Sequence, residues 1–102
     1  MPTFVCTLSW TDHGMRHIRD ARKRRSSARA LANNLHINIK DIYVTCGGTD
    51  LLVIFTADDD TTAAKFALVA GSAGNTRSST CRAFTEAEFD TILDELPELP
   101  KV

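Results

Sequence analysis

The chain has 102 residues, 43% hydrophobic and 25% charged, with a formal net charge of −1. That length admits one domain with a real core and leaves no room for a second, and the composition is that of a folded chain rather than a disordered one. No segment approaches the roughly 18 apolar residues of a membrane span, and the start Met1-Pro2-Thr3-Phe4 lacks a basic stretch followed by an apolar run, so a cytoplasmic protein is expected.

Residues 3–10 alternate, with Phe4, Cys6, Leu8 and Trp10 on an oilier side and Thr3, Val5, Thr7 and Ser9 on the other, which predicts a first strand. Thr11 and Asp12 can accept from the free N–H groups of a following helix, and Met15, Ile18, Ala21, Ala28, Leu31 and Leu35 recur at helical spacing. One long helix ending near Asn33-Asn34 is the expectation. Ile37–Cys46 and Asp50–Ala57 are rich in β-branched and aromatic residues and flank Gly47-Gly48, a pair suited to the positive φ angles of a tight hairpin turn.

Asp58-Asp59-Asp60 places negative charge where a helix N-terminus favours it, so Thr61–Ser72 is predicted helical, with small residues (Ala63, Ala64, Ala67, Ala70) allowing close approach to a sheet. Asn75–Phe84 reads as a fourth strand. Thr85-Glu86-Ala87-Glu88 has the form of a capping box with Phe84 and Phe89 at the positions of a hydrophobic staple, predicting a helix over Glu86–Leu96 that Pro97 and Pro100 terminate. The domain is thus expected over residues 1–96, with a short tail over 97–102.

Strand, helix, strand, strand, helix, strand, with one helix appended, is the ferredoxin-like α+β order. Right-handed crossovers put both main helices on one face of a four-stranded antiparallel sheet. The bare face would expose Val5, Leu52 and Ile54, and the same face of a second subunit is the economical cover, giving a dimeric α/β barrel.

With these elements in place the sequence resembles the GYD domain family of small bacterial and archaeal proteins, over nearly its whole length. The resemblance rests on Trp10-Thr11 with Gly14, on Lys23-Arg24-Arg25 and Ala30-Leu31-Ala32, and most specifically on residues 64–68 (Ala-Lys-Phe-Ala-Leu), Gly71-Ser72, Gly74-Asn75, Arg77 and Arg82-Ala83-Phe84-Thr85. It implies the dimeric barrel and no settled activity. Thr49 stands where the family's naming motif has tyrosine, before Asp50, and Arg22 stands where relatives often carry proline, which would let the first helix run straighter.

No residues have the spacing of a known catalytic, phosphate-binding, nucleophile-elbow or haem-attachment motif. Asp50 is the one weak catalytic candidate, because a carboxylate in a sheet-lined cleft can act as a general base. The bland alternative is a strand-start residue bonded to turn N–H groups. A ligand site built from Thr7, Ser9, Asp50 and Arg77 follows if the cleft exists. Cys6, Cys46 and Cys81 are far apart and all fall in expected strands, reading as reduced, buried packing residues rather than ligands. His13 and His17 are one helical turn apart but lack a third ligand; no metal or other cofactor is expected, and His36 and Tyr43 are given no chemistry.

Residues 1–40 carry eight basic and two acidic side chains, and the remainder four and eleven. The run from Arg16 to Arg29 lacks interleaved aromatics and the pI is about 6.3, which disfavours nucleic acid as a partner and favours a solvated helix face or pairing with the acidic last helix of a neighbouring subunit. The expected function is binding of a small organic ligand between paired sheets of a homo-oligomer. A cofactor-independent oxygenase, isomerase or decarboxylase is the alternative by analogy with other dimeric barrels, and a structural or nucleic-acid-binding module ranks below both.

Overall fold

A computed structural model describes residues 1–101; Val102, the last residue of the expected tail, lies outside the described residues. The elements in chain order are β1 (Thr3–Trp10), α1 (Asp12–Arg16), a 3-10 turn (Ile18–Asp20), α2 (Ala21–Asn34), β2 (Asn38–Val44), β3 (Leu51–Thr56), α3 (Asp60–Ser72), β4 (Thr76–Ala83) and α4 (Glu86–Asp94). The strands form one antiparallel sheet in the order β2-β3-β1-β4, the ferredoxin-like arrangement.

Strand alternation divides the residues between two layers. Phe4 and Cys6 on β1 and Phe55 on β3 join Ala32 of α2 and Ala63 and Phe66 of α3 in one buried core. Phe55 is completely buried, stacked on Phe4 with ring centroids 5.4 Å apart and meeting Phe66 edge-on at 5.3 Å. On the opposite face Val5 stands beside Ile54, Thr7 beside Leu52, and Ser9 beside Arg77. No helix of the described residues packs on that open face.

The first helix is not continuous. It breaks at His17 (φ −110°, ψ 28°), so the single long helix, and the straighter course that Arg22 in place of proline suggested, give way to α1, a 3-10 turn and α2. The guanidinium of Arg24 explains the break: it donates to the carbonyls of His17 (2.6 Å) and Gly14 (3.3 Å), satisfying groups that an uninterrupted helix would use internally.

Thr11 caps α1 by accepting from the Gly14 N–H (3.0 Å), and its hydroxyl donates to the Gly74 carbonyl (2.6 Å). The loop before β4 therefore lies directly on the start of α1, and a Cβ at Gly14 would overlap the Asn75 carbonyl oxygen. Gly74 itself has φ 80°, a conformation that favours glycine.

The hairpin loop is longer than a two-residue turn, spanning 45–50, with Gly47 alone at positive φ (142°). Cys46 lies in this loop and is exposed, as is Cys81, so burial holds for Cys6 only. In β2 the ladder shifts between Ile39 and Asp41, leaving Lys40 as an extra residue. The capping box of α4 forms as expected, but the helix ends at Asp94, before the prolines, and none of its residues is buried.

Candidate functional site

Of the sequence-predicted site residues, Thr7, Ser9 and Arg77 share the open face by register, Ser9 directly opposite Arg77. Asp50 precedes β3 at the same end, with its N–H donating to the Leu8 carbonyl (2.9 Å) and its own carbonyl accepting from Thr45 (2.8 Å). Its carboxylate Oδ2 accepts from the Trp10 N–H at 2.8 Å. Asp50 therefore bonds a neighbouring strand rather than the hairpin N–H groups, and it ties the end of β1 to the start of β3. One carboxylate oxygen is committed to the backbone.

This end of the sheet offers hydroxyls, a guanidinium and a carboxylate above the apolar Val5, Leu52 and Ile54. It can hold a polar molecule by hydrogen bonds and charge. The histidines are elsewhere: His13 and His17 lie on and just after α1 with ring centroids 4.4 Å apart, and His17 Nδ1 donates to the His13 carbonyl (2.8 Å). Among the described residues no group of three or more His, Cys, Asp or Glu is placed to hold a metal ion.

A concavity that sequence reasoning missed lies on the helix-covered side. It measures about 820 Å³ between α2, α3 and the sheet, with Trp10, Ile42, Val44, Leu51 and Val53 as its floor. Leu31 and Val69 form apolar walls, and Arg19, Arg22, Lys23 and Arg25 its rim. Arg24 reaches inward, its guanidinium carbon 5.3 Å from the Trp10 ring centroid and its Nε buried without a partner among the described residues. The basic run is thus not wholly a solvated face. The only sequence signals for this cleft were Trp10 on the oily side of β1 and arginines crowding one helix.

The titration shifts are structural. Burial pushes the Cys6 thiol up, and the Thr62 backbone N–H, to which Asp59 caps α3 at 2.8 Å, holds that carboxyl down. Glu88 is held at about 2, first by the Thr85 N–H (2.9 Å) and then by Arg82, 2.9 Å away.

A four-stranded antiparallel sheet with two helices on one face and an open second face defines a ferredoxin-like α+β protein. The GYD domain model matches residues 4–93, and the chain belongs to that family. Its resemblance residues meet in space, since Thr11 and Gly14 abut Gly74 and Asn75, and Arg82 clamps the helix that Thr85 caps. Among solved structures, MtbAldR is similar at 13% identity and TM-score 0.65, covering 83% of this chain and 52% of that one. The present chain spans about half the length of that neighbour, and the likeness is one of fold. An unknown protein from Galdieria sulphuraria shares 18% identity over 82% of this chain and 45% of that one, with a TM-score of 0.48 too low to carry an argument. No curated protein matches the sequence. No helix among the described residues is long and apolar enough to cross a membrane.

Proposed function

We propose that this GYD domain acts as a homodimer whose two open sheet faces enclose a cleft for a small organic ligand, with Thr7, Ser9, Asp50 and Arg77 as the binding groups. The observation that carries the reading is the make-up of the open face: Val5, Ile54 and Leu52 adjoin at its centre with no helix over them, and the polar groups gather at one end. Apolar area in the middle of a sheet favours a matching face. Polar groups at the seam gain strength as water is excluded.

Arg77 and the hydroxyls suit a small carboxylic acid, because a guanidinium matches carboxylate geometry. No catalytic step is assigned to Asp50. A cytoplasmic setting with reduced thiols belongs to the same reading.

Light scattering tests the dimer: the wild-type chain is expected to be dimeric at micromolar concentration, Ile54→Asp monomeric and Arg29→Asp still dimeric. A monomeric wild type would remove the enclosed cleft. For the ligand, thermal shifts with a panel of small carboxylic acids should shrink in Arg77→Ala. Asp50→Asn keeps an oxygen for the Trp10 N–H, so unchanged stability with a lost ligand shift would mark the carboxylate as a ligand group.

A further inference from the structure

The cleft on the helical side and the last helix are opposite in character and both uncovered. Five basic residues, Arg19, Arg22, Lys23, Arg24 and Arg25, and no acidic one line the cleft above its apolar floor. Residues 86–98 carry Glu86, Glu88, Asp90, Asp94, Glu95 and Glu98 and no basic residue. On α4 and the turn after it, Phe89, Ile92, Leu93 and Leu96 follow the i, i+3, i+4, i+7 spacing of one helical stripe, flanked by those acids on both sides. Phe89, Leu93 and Leu96 are 52%, 47% and 59% exposed. A stripe of that length left open is a binding face rather than scattered surface apolarity.

We infer that α4 of a second copy of this chain docks in the cleft, its apolar stripe on the floor and its acidic flanks against the basic rim. The chain's own α4 is badly placed for this. The cleft opens where β1 ends and β4 begins, at Trp10 and Thr76, whereas α4 departs from the other end of β4, opposite Thr3. Eight strand residues separate the two ends, about 24 Å at strand rise. The capping box and the Arg82–Glu88 pair fix the direction in which α4 leaves, and the molecule is drawn out to 57 Å in its longest dimension.

The exchange rests on the homodimer proposed above and is compatible with it. A two-fold axis lying between the faces and perpendicular to the strands sets the open faces together and brings the β4 edge of one copy, end for end, beside the β4 edge of the other. Asn75 and Thr76 at the start of β4 belong to the cleft, so a helix leaving the far end of one β4 arrives at the partner's opening. The pairing is reciprocal and buries both stripes at once.

A charge swap tests it on the full chain, with circular dichroism confirming the fold of each variant. Reversing the rim in Arg22→Glu/Arg25→Glu, or the helix in Asp90→Arg/Asp94→Arg, should each weaken the dimer about tenfold in sedimentation, and combining all four should restore it to within about threefold. Leu93→Asp should weaken it as well, independently of charge. Unchanged dimerisation in the helix variants, or weakening without rescue, would overturn the inference. The probe 8-anilinonaphthalene-1-sulfonate, an apolar anion, examines the rival occupant. Exclusion from the wild type and entry on Leu93→Asp support docking, whereas binding to the wild type that the rim reversal abolishes and the α4 variants leave unchanged would assign the cleft to a small anion. Ile54→Asp separates the two proposals: dissociation by Ile54→Asp alone leaves the sheet-face reading standing without the helix exchange, and dissociation by the α4 variants alone does the converse.

Discussion

The Arg24 guanidinium lies 5.3 Å from the centroid of the Trp10 ring while its two terminal nitrogens hold the carbonyls of His17 and Gly14. One side chain thereby joins the last residue of β1 to the break between α1 and α2. Losing the ring contact and two hydrogen bonds in Arg24→Ala should cost about 2 kcal/mol, read as a fall of about 10 °C in Tm. Arg24→Lys keeps the charge without the planar fork and should recover about half. Exposed Arg29→Ala should stay within about 0.5 kcal/mol, and an equal loss at both positions would refute this role.

Gly14 is needed for space. Because an added Cβ would overlap the backbone oxygen of Asn75, Gly14→Ala must push the Gly74-Asn75 loop off α1, at about 3 kcal/mol. Gly48 has open space around it and no positive φ, so Gly48→Ala should raise stability by about 0.5 kcal/mol through the unfolded chain. Chemical denaturation of the two variants side by side checks the contrast.

Thiol chemistry reports on assembly. Cys6 is buried and its thiol is pushed up by desolvation, so it should react only on unfolding. Cys46 is exposed in the hairpin loop and should react at once, whereas Cys81, opposite Val5 on the open face, should slow as protein concentration rises and the faces close. Mass spectrometry of timed alkylation separates the sites. Concentration-independent labelling of Cys81 would argue against face pairing.

Acid should loosen the start of α4. Glu88 is held at about 2 against an ordinary 4.5, so the folded chain binds fewer protons than the unfolded chain between those values. Its contribution is therefore complete above about pH 4.5 and is lost as pH falls toward about 2. Amide signals of Thr85 and Phe89 should report fraying across that window, and Glu88→Gln should flatten the response. A helix equally ordered at both ends of the window would contradict it.

The parts of the fold legible in the sequence are those made by local chemistry. The box from Thr85 to Glu88 specifies a helix start by itself, and alternation along β1 separates Phe4 from Val5 without knowledge of any partner. Residue 17 gave no such signal, because Met15, Ile18 and Ala21 keep helical spacing through it; the break is imposed by Arg24, seven residues later. The Asp50–Trp10 bond joins residues 40 apart and depends on strand register, so only the presence of a carboxylate there could be read, not its partner. The helical-side cleft stayed hidden for the same reason, its floor being drawn from three strands and its rim from α2 and the 3-10 turn before it.

The extra residue in β2 bears on how copies of this chain can aggregate. A foreign strand laid along that edge would fall out of step at Lys40, beside the charge of Asp41, and could not continue a regular ladder. Sideways growth into a fibril is blocked at that edge. Concentrated protein should accordingly stay in finite assemblies rather than form ribbons, despite the apolar surface the isolated chain presents.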